Sequence, residues 1–273
     1  MINALPLKSL YLAADKPLCR HVSVGQDPQR TTEEHVTIVI VRWIMLEPGS
    51  AAIAALRPLL DMSEQARADR FRLADDRDSY IAAHGLLRAT LSCMAGIAAA
   101  DLRFRTTESG KPALDPAQAL PDLHFSLTHT RGLAACAVGR PHALGIDAEA
   151  WHVPPPIELA ARYFAPAEAR LVAAQAPAER PSTFYRLWTL KEAYLKAIGR
   201  GLAAPLDSFA FSLDPVTITV PAPDHAAAWY FAEFRPGSAH SLALAVRSPQ
   251  PIPVDAAAVT PACLGPPAQT SSR

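Results

Sequence analysis

Lysine is scarce in this chain: Lys8, Lys16, Lys111, Lys191 and Lys196 are the five among 26 basic residues in a length of 273. Positive charge therefore comes mostly as planar guanidinium groups, and each lysine is worth locating. There is no excess of either sign, since Asp plus Glu also number 26. That balance excludes a global pull toward nucleic acid or an anionic membrane, so any anionic ligand must be met by a local site. Cysteine is rare too. Cys19, Cys93, Cys136 and Cys263 lie far apart without a CxxC pair, which argues against a zinc site and against a disulfide framework. The best apolar run, Val36 to Val41, is far too short to cross a bilayer. Lys8, Asp15 and Lys16 interrupt the N-terminal apolar residues, so the start does not read as a secretory leader. These absences predict a soluble, cytoplasmic protein with neither nucleic acid nor membrane as partner.

What is abundant is hydrophobic residue, at 50% enough for one large core or two modest lobes. Residues 1–35 show no sustained period and are expected to be a poorly ordered extension. The 248–273 segment carries Pro249, Pro251, Pro253, Pro261, Pro266 and Pro267, a Pro/Ala-rich tail expected to resist helix and sheet. Between them, Val36 to Met45 reads as a buried strand and Ser63 to Phe71 as a short helix. With Asp75 as its expected N-cap, a second helix carries the stripe Tyr80, His84, Leu87, Leu91, Met94 and ends at Gly96. Strands are predicted at 102–106, 123–129 and 133–139. The order then recurs: a helix from Ser182 to Ile198 behind Pro181, and strands at 208–213, 228–234 and 241–247. This suggests an N-terminal α+β lobe over 36–142 and a related α+β lobe over 143–247, with a ligand cleft between them.

Three stretches carry candidate chemistry. In Gly145-Ile146-Asp147-Ala148-Glu149, an apolar run turns into two acids one residue apart. On a strand, i and i+2 share a face, so Asp147 and Glu149 would aim two carboxylates at one point, suiting a hard cation such as magnesium. An isolated D-x-E is more often a strand end meeting water. In Trp188-Thr189-Leu190-Lys191-Glu192-Ala193-Tyr194-Leu195-Lys196, the Glu192 and Lys196 pair is one helical turn apart. Alone that is an ordinary ion pair worth about 0.2–0.5 kcal/mol. Two lysines bracketing a glutamate in an apolar stretch of a lysine-poor chain read instead as a site. Glu192 would complete a three-carboxylate magnesium site, with Lys191 and Lys196 supplying charge to phosphate oxygens. The third stretch is the Gly110-Lys111-Pro112 turn, followed by Phe125-Ser126-Leu127-Thr128-His129-Thr130, where the hydroxyls and imidazole at 128–130 would hold phosphate. Arg67, Arg70, Arg72, Arg77 and Arg88 fall on or near the first lobe's helices, some within reach of an anionic cofactor. In Phe164-Ala165-Pro166-Ala167-Glu168, proline marks a helix start and Glu168 an acid in its first turn, which capping alone would explain.

In this order and over roughly Arg67 to Leu213, these motifs resemble the 4′-phosphopantetheinyl transferase family, in its two-lobed branch that activates surfactin synthetase and related carrier proteins. The resemblance implies two α+β lobes in a pseudo-twofold arrangement. It also implies transfer of the 4′-phosphopantetheine arm of coenzyme A to a serine of an apo acyl, peptidyl or aryl carrier protein, with release of 3′,5′-ADP. By that similarity Asp147, Glu149 and Glu192 hold Mg2+ against the pyrophosphate, and Lys196 touches the same phosphates. Arg67, Arg77, Lys111 with Pro112, Thr128 and His129 bind the nucleotide end, and Glu168 stands where a general base is proposed. Ser126 and Thr128 replace the asparagine and serine frequent in that motif, which leaves a small polar group and a hydroxyl in place. A monomer is expected, because two lobes build their cleft without a partner. The rival readings are a metal-dependent phosphohydrolase, which would release phosphate or nucleotide without a carrier, and a non-catalytic coenzyme A-binding protein, which would bind without transfer.

Overall fold

The structure is a computed structural model that describes residues 38–47, 49–107, 110–120, 122–140, 143–151, 157–200, 204–220 and 228–264. The expected loose extension over 1–35 lies outside them. The apolar run near the start forms β1 (Val39–Met45), buried up to its last residue. Helices α1 (Ala51–Ala54) and α2 (Met62–Ala68) follow. At the start of α2, Asp61 accepts from the Glu64 amide at 2.9 Å while Glu64 accepts from the Asp61 amide at 3.2 Å, a reciprocal cap. The next helix, α3 (Ala74–Ala95), is capped by Leu73 and not by Asp75. Asp75 and Asp76 lie one step inside, where their charges favour the positive helix end. Gly96 closes α3 at φ 70°, as the sequence predicts.

Strands β2 (Phe104–Thr106), β3 (Pro112–Leu114), β4 (His124–Thr130), β5 (Leu133–Gly139) and β6 (Leu144–Ala150) come next. Helices α4 (Glu158–Tyr163), α5 (Pro166–Ala174) and α6 (Arg180–Ile198) lead to β7 (Ala210–Leu213), β8 (Val216–Thr219), β9 (Trp229–Phe234), β10 (His240–Arg247) and β11 (Val254–Ala258). One sheet has the order β11-β1-β5-β4, and another β6-β10-β9. The strands expected at 102–106 and 208–213 exist in shortened form, but they pair locally, as the hairpins β2–β3 and β7–β8, instead of joining the large sheets.

Period-two alternation explains the layering. Val39, Val41 and Trp43 of β1 and Leu133, Ala135 and Ala137 of β5 turn inward onto Leu144 and Ile146 of β6 and Leu242, Leu244 and Val246 of β10. The alternate residues face helices: Ile44, Cys136 and Val138 pack with Tyr80, Leu87 and Leu91 of α3, while Ala243 and Ala245 pack with Leu187, Leu190 and Tyr194 of α6. Helix, sheet, sheet and helix thus stack in four layers.

Two expectations fail here. The 248–273 segment is not loose throughout, because β11 runs parallel beside β1, pairing Val39 with Val254 through Trp43 with Ala258. Proline hinders ladders only where its nitrogen must donate, and the alternating prolines end at Pro253, just before an edge strand with one paired side. The fully buried Arg42 fastens that strand, giving 2.6 Å to the Asp255 carbonyl and 2.7 Å to its carboxylate. The sheet of β1 is therefore completed by residues beyond 247. Cys93 is disulfide-bonded, whereas Cys136 and Cys263 are free; spacing along a chain does not report distance in space. Among the described residues no helix is long and apolar enough to cross a membrane.

Candidate functional site

The alternation that sends Leu144, Ile146 and Ala148 inward sends Gly145, Asp147 and Glu149 to the α6 side of β6. Gly145 lets strand and helix touch: a Cβ built there would lie 2.0 Å from the Ala193 carbonyl oxygen and 2.5 Å from the Ala197 nitrogen. This flush contact sets Asp147 beside the last turns of α6. Lys196 gives its ammonium to Asp147 Oδ1 at 2.7 Å and to the Ile146 carbonyl at 3.1 Å. A cavity of about 390 Å3 opens there, lined by Thr128, His129, Asp147, Glu149, Glu192 and Lys196 together with Leu127, Ala148 and Trp188. Six residues expected in the site, from three separate motifs, therefore meet in one hollow.

Its electrostatics are those of acids short of countercharge. Burial pushes the Asp147 carboxyl up against the pull of Lys196. Burial, reinforced by Asp147 and then Glu192, lifts Glu149 to about 7, and burial with the Asp147 charge raises Glu192. Among the described residues, Asp147 Oδ2 and Glu192 Oε1 are buried and have no hydrogen-bond partner. Such atoms cost free energy unless something absent from the chain meets them. Among those same residues no three acids, histidines or cysteines stand close enough to grip an ion as they are; three carboxylates without a cation repel, and Lys196 takes one of them instead. The donor set is all carboxylate oxygen, two of its buried oxygens are uncommitted, and this fits a hard divalent cation.

A second hollow of about 270 Å3 shares Leu127 and Lys196 with the first and is lined also by Gly110, Lys111, Pro112, Phe125, Ser126 and Gly199. Lys111 does not reach into open space: its ammonium donates to the Lys196 carbonyl at 2.8 Å, near the C-terminal end of α6. Burial, and then the Lys196 charge, hold its pKa below the ordinary lysine value. Thr128 is likewise committed, donating to Asp147 Oδ1 at 3.2 Å and accepting from the Ala148 amide at 3.3 Å. Its hydroxyl orients the carboxylate instead of facing a ligand.

Four expected residues are brought to neither hollow. Arg67, exposed on α2, lies over the Tyr80 ring with 5.4 Å from guanidinium carbon to centroid, and Arg77, on the exposed first turn of α3, pairs with its neighbour Asp78. Lys191 is wholly buried and spends its ammonium on the carbonyls of Leu206 and Phe209, at 2.7 and 2.8 Å, and on Glu168 at 2.7 Å. Glu168 is wholly buried too, and its other oxygen accepts from the Phe211 amide at 2.7 Å. With both oxygens occupied, this pair staples α5 to α6 and to β7. The helical angle carries the warning: five residues turn about 140°, so Lys191 and Lys196 leave α6 on different sides, whereas Glu192 and Lys196 share one. The residue missed is Trp188, one turn before Glu192 on that same side, which lines the cavity beside Glu149 and favours its charged form.

Comparison with known proteins points to one family. The 4′-phosphopantetheinyl transferase superfamily model matches residues 143–246, and the model described as 4′-phosphopantetheinyl transferase, N-terminal, matches residues 44–140. The 4′-phosphopantetheinyl transferase HetI of Nostoc sp. is 35% identical over 205 residues, covering 74% of this chain and 85% of that protein. The 4′-phosphopantetheinyl transferase Sfp of Bacillus subtilis is 30% identical over 181 residues, 66% of this chain and 79% of its own length. A further 4′-phosphopantetheinyl transferase of Bacillus subtilis is 35% identical over 156 residues, 57% and 67%.

Proposed function

This chain belongs to the 4′-phosphopantetheinyl transferase family, and from that membership we infer its reaction in terms of its own residues. It transfers the phosphopantetheine group of coenzyme A to a carrier protein. The serine hydroxyl of the carrier attacks the β-phosphorus, one P–O bond forms, the bond to 3′,5′-ADP breaks, and the serine proton is lost. The observation that carries the residue assignment is the cavity shared by Asp147, Glu149, Glu192, Lys196 and His129, with two buried carboxylate oxygens lacking partners.

We assign Asp147, Glu149 and Glu192 to hold a magnesium ion. When bound, it would neutralise the pyrophosphate and the charge growing on the leaving group. Lys196 supplies a fixed positive charge at the same wall, and His129 a ring to a phosphate. Trp188 keeps Glu149 turned toward the cavity. Glu168 is withdrawn as general base because its oxygens are spent; Glu192 receives the serine proton on the oxygen that the cation does not take. The neighbouring hollow beside Lys111 and Pro112 takes the nucleotide end of coenzyme A. The recurring order strand, helix, two strands in β1-α3-β4-β5 and β6-α6-β9-β10, with matching sheet orders β1-β5-β4 and β6-β10-β9, supports two lobes related by a pseudo-twofold axis. We read it as a monomer, since β4, β6 and α6 of one chain bring the acids, His129 and Lys196 together. Its substrates meet in the cytoplasm, where we place it.

The test is the intact mass of apo carrier proteins after incubation with the chain, coenzyme A and magnesium, with and without a chelator. A gain of one phosphopantetheine group, lost on chelation, is expected, and Glu192→Gln should reduce it by at least a hundredfold while remaining folded. Transfer that persists undiminished in a folded Glu192→Gln variant would sink the assignment.

A further inference from the structure

β6 is an edge strand: β10 pairs one side, and the other side lies against β4 with no backbone ladder between them. Buried edge amides need acceptors. Ile146 and Ala148, two apart, find them in the hydroxyls of Ser126 and Thr128, also two apart, at 3.1 and 3.3 Å. All four residues are buried. Side chains of one sheet thus stand in for the carbonyls of a missing neighbour strand. The peptide between the two pinned amides carries Asp147, and the Ile146 carbonyl is held in turn by Lys196 at 3.1 Å. The Ser126 hydroxyl is spent on the Ile146 amide and not on an acid of the cavity, and Ser126 was not among the expected site residues.

We propose that Ser126 is a positioning residue: its hydroxyl, paired with that of Thr128, fixes the backbone of β6 so that Asp147 presents its free oxygen to the cation. The requirement is an acceptor at residue 126, not a particular side-chain shape. Ser126 also borders the 270 Å3 hollow, which leaves room for one added methyl group. The role rests on Asp147 being a metal ligand, so the experiment separates the two claims.

Amide exchange of Ile146 is measured first in the metal-free chain. Ser126→Ala should speed it about tenfold, the effect of one lost hydrogen bond, whereas Ser126→Thr should restore protection. Magnesium alone is then titrated against the intrinsic tryptophan fluorescence, to which Trp188 at the cavity wall contributes. The half-saturating concentration should rise about five- to tenfold in Ser126→Ala and return to within twofold of wild type in Ser126→Thr. Should Ser126→Ala fail to fold, Ser126→Cys, of similar volume with a weak sulfur acceptor, carries the same comparison with intermediate values expected. Unchanged Ile146 exchange overturns the seam. Faster exchange with unchanged magnesium affinity overturns the positioning role, and a wild-type chain that binds no magnesium overturns that role together with the metal assignment, leaving the exchange result to stand by itself.

Discussion

Replacing Gly145 with alanine puts a methyl group where β6 lies flush on α6. The added carbon would sit 2.0 Å from the Ala193 carbonyl oxygen and 2.5 Å from the Ala197 nitrogen, both backbone atoms, with the Lys196 Cβ at 3.0 Å. Side-chain rotation cannot relieve this, so strand and helix must part by about 1 Å before the shortest contact reaches even 3 Å. Overpacking of a core costs about 1–3 kcal/mol, and a clash with main chain belongs at the upper end. At roughly 2–4 °C per kcal/mol for a chain of this size, the melting temperature should fall by about 6–12 °C. The same displacement carries Glu192 and Lys196 away from Asp147, and misplacement by about 1 Å can cost a hundredfold in rate. Thermal melts and carrier mass gain measure the two effects. Gly96→Ala is the control: its φ is also positive, at 70°, but nothing lies within 4 Å, so it should cost about 1 kcal/mol of strain and leave transfer intact. A Gly145→Ala variant that melts within 2 °C of wild type and transfers normally would refute the reasoning.

Lys191→Ala strands Glu168 as a buried unpaired acid and should cost roughly 3–5 kcal/mol, while the double variant Lys191→Met with Glu168→Gln should recover most of the loss and bind coenzyme A normally; weakened coenzyme A binding by a stable double variant would return Lys191 to the site. Glu149, lifted from 4.5 to about 7, keeps in the folded state a proton that the unfolded chain has lost, so it subtracts stability as pH rises from 4.5 through 7. Melts from pH 5 to pH 8 without metal should therefore slope downward more in wild type than in Glu149→Gln, and the rise produced by magnesium should be larger at pH 8; equal slopes would contradict this. Asp255→Ala removes the carboxylate from the buried Arg42, which retains the Asp255 carbonyl, so about 2 kcal/mol of stability should be lost, with faster amide exchange in β1 as the check.

Elements with strong periodicity were legible before any coordinates. β5 occupies the expected residues, α3 ends at the expected glycine, and β6 sends Asp147 and Glu149 to one face as alternation demands. Partners were less legible than elements, because a period reveals which face is apolar but not which strand lies alongside. That is why 102–106 and 208–213 read as members of large sheets yet close as hairpins. β11 was missed for the related reason that its partner begins more than two hundred residues earlier in the chain. At the site, residue type identified the acids and Lys196, but type overreached at Lys191 and the family resemblance at Glu168, whose mutual burial depends on packing by α5 and β7. The seam at Ser126 was invisible as chemistry, since a serine on a strand declares no acceptor role until an unladdered edge is set beside it.

The late return of β11 to β1 also orders events during synthesis. β1 leaves the ribosome early, but its parallel neighbour follows only after about two hundred further residues, on the order of 10–40 s at ordinary translation speeds. Until then one edge of the first sheet is open and Arg42 lacks the Asp255 carboxylate. The nascent chain spends that interval with both large sheets begun and the first unfinished, so its exposure to chaperones and to aggregation is set by the distance between two short strands and not by the stability of the finished molecule.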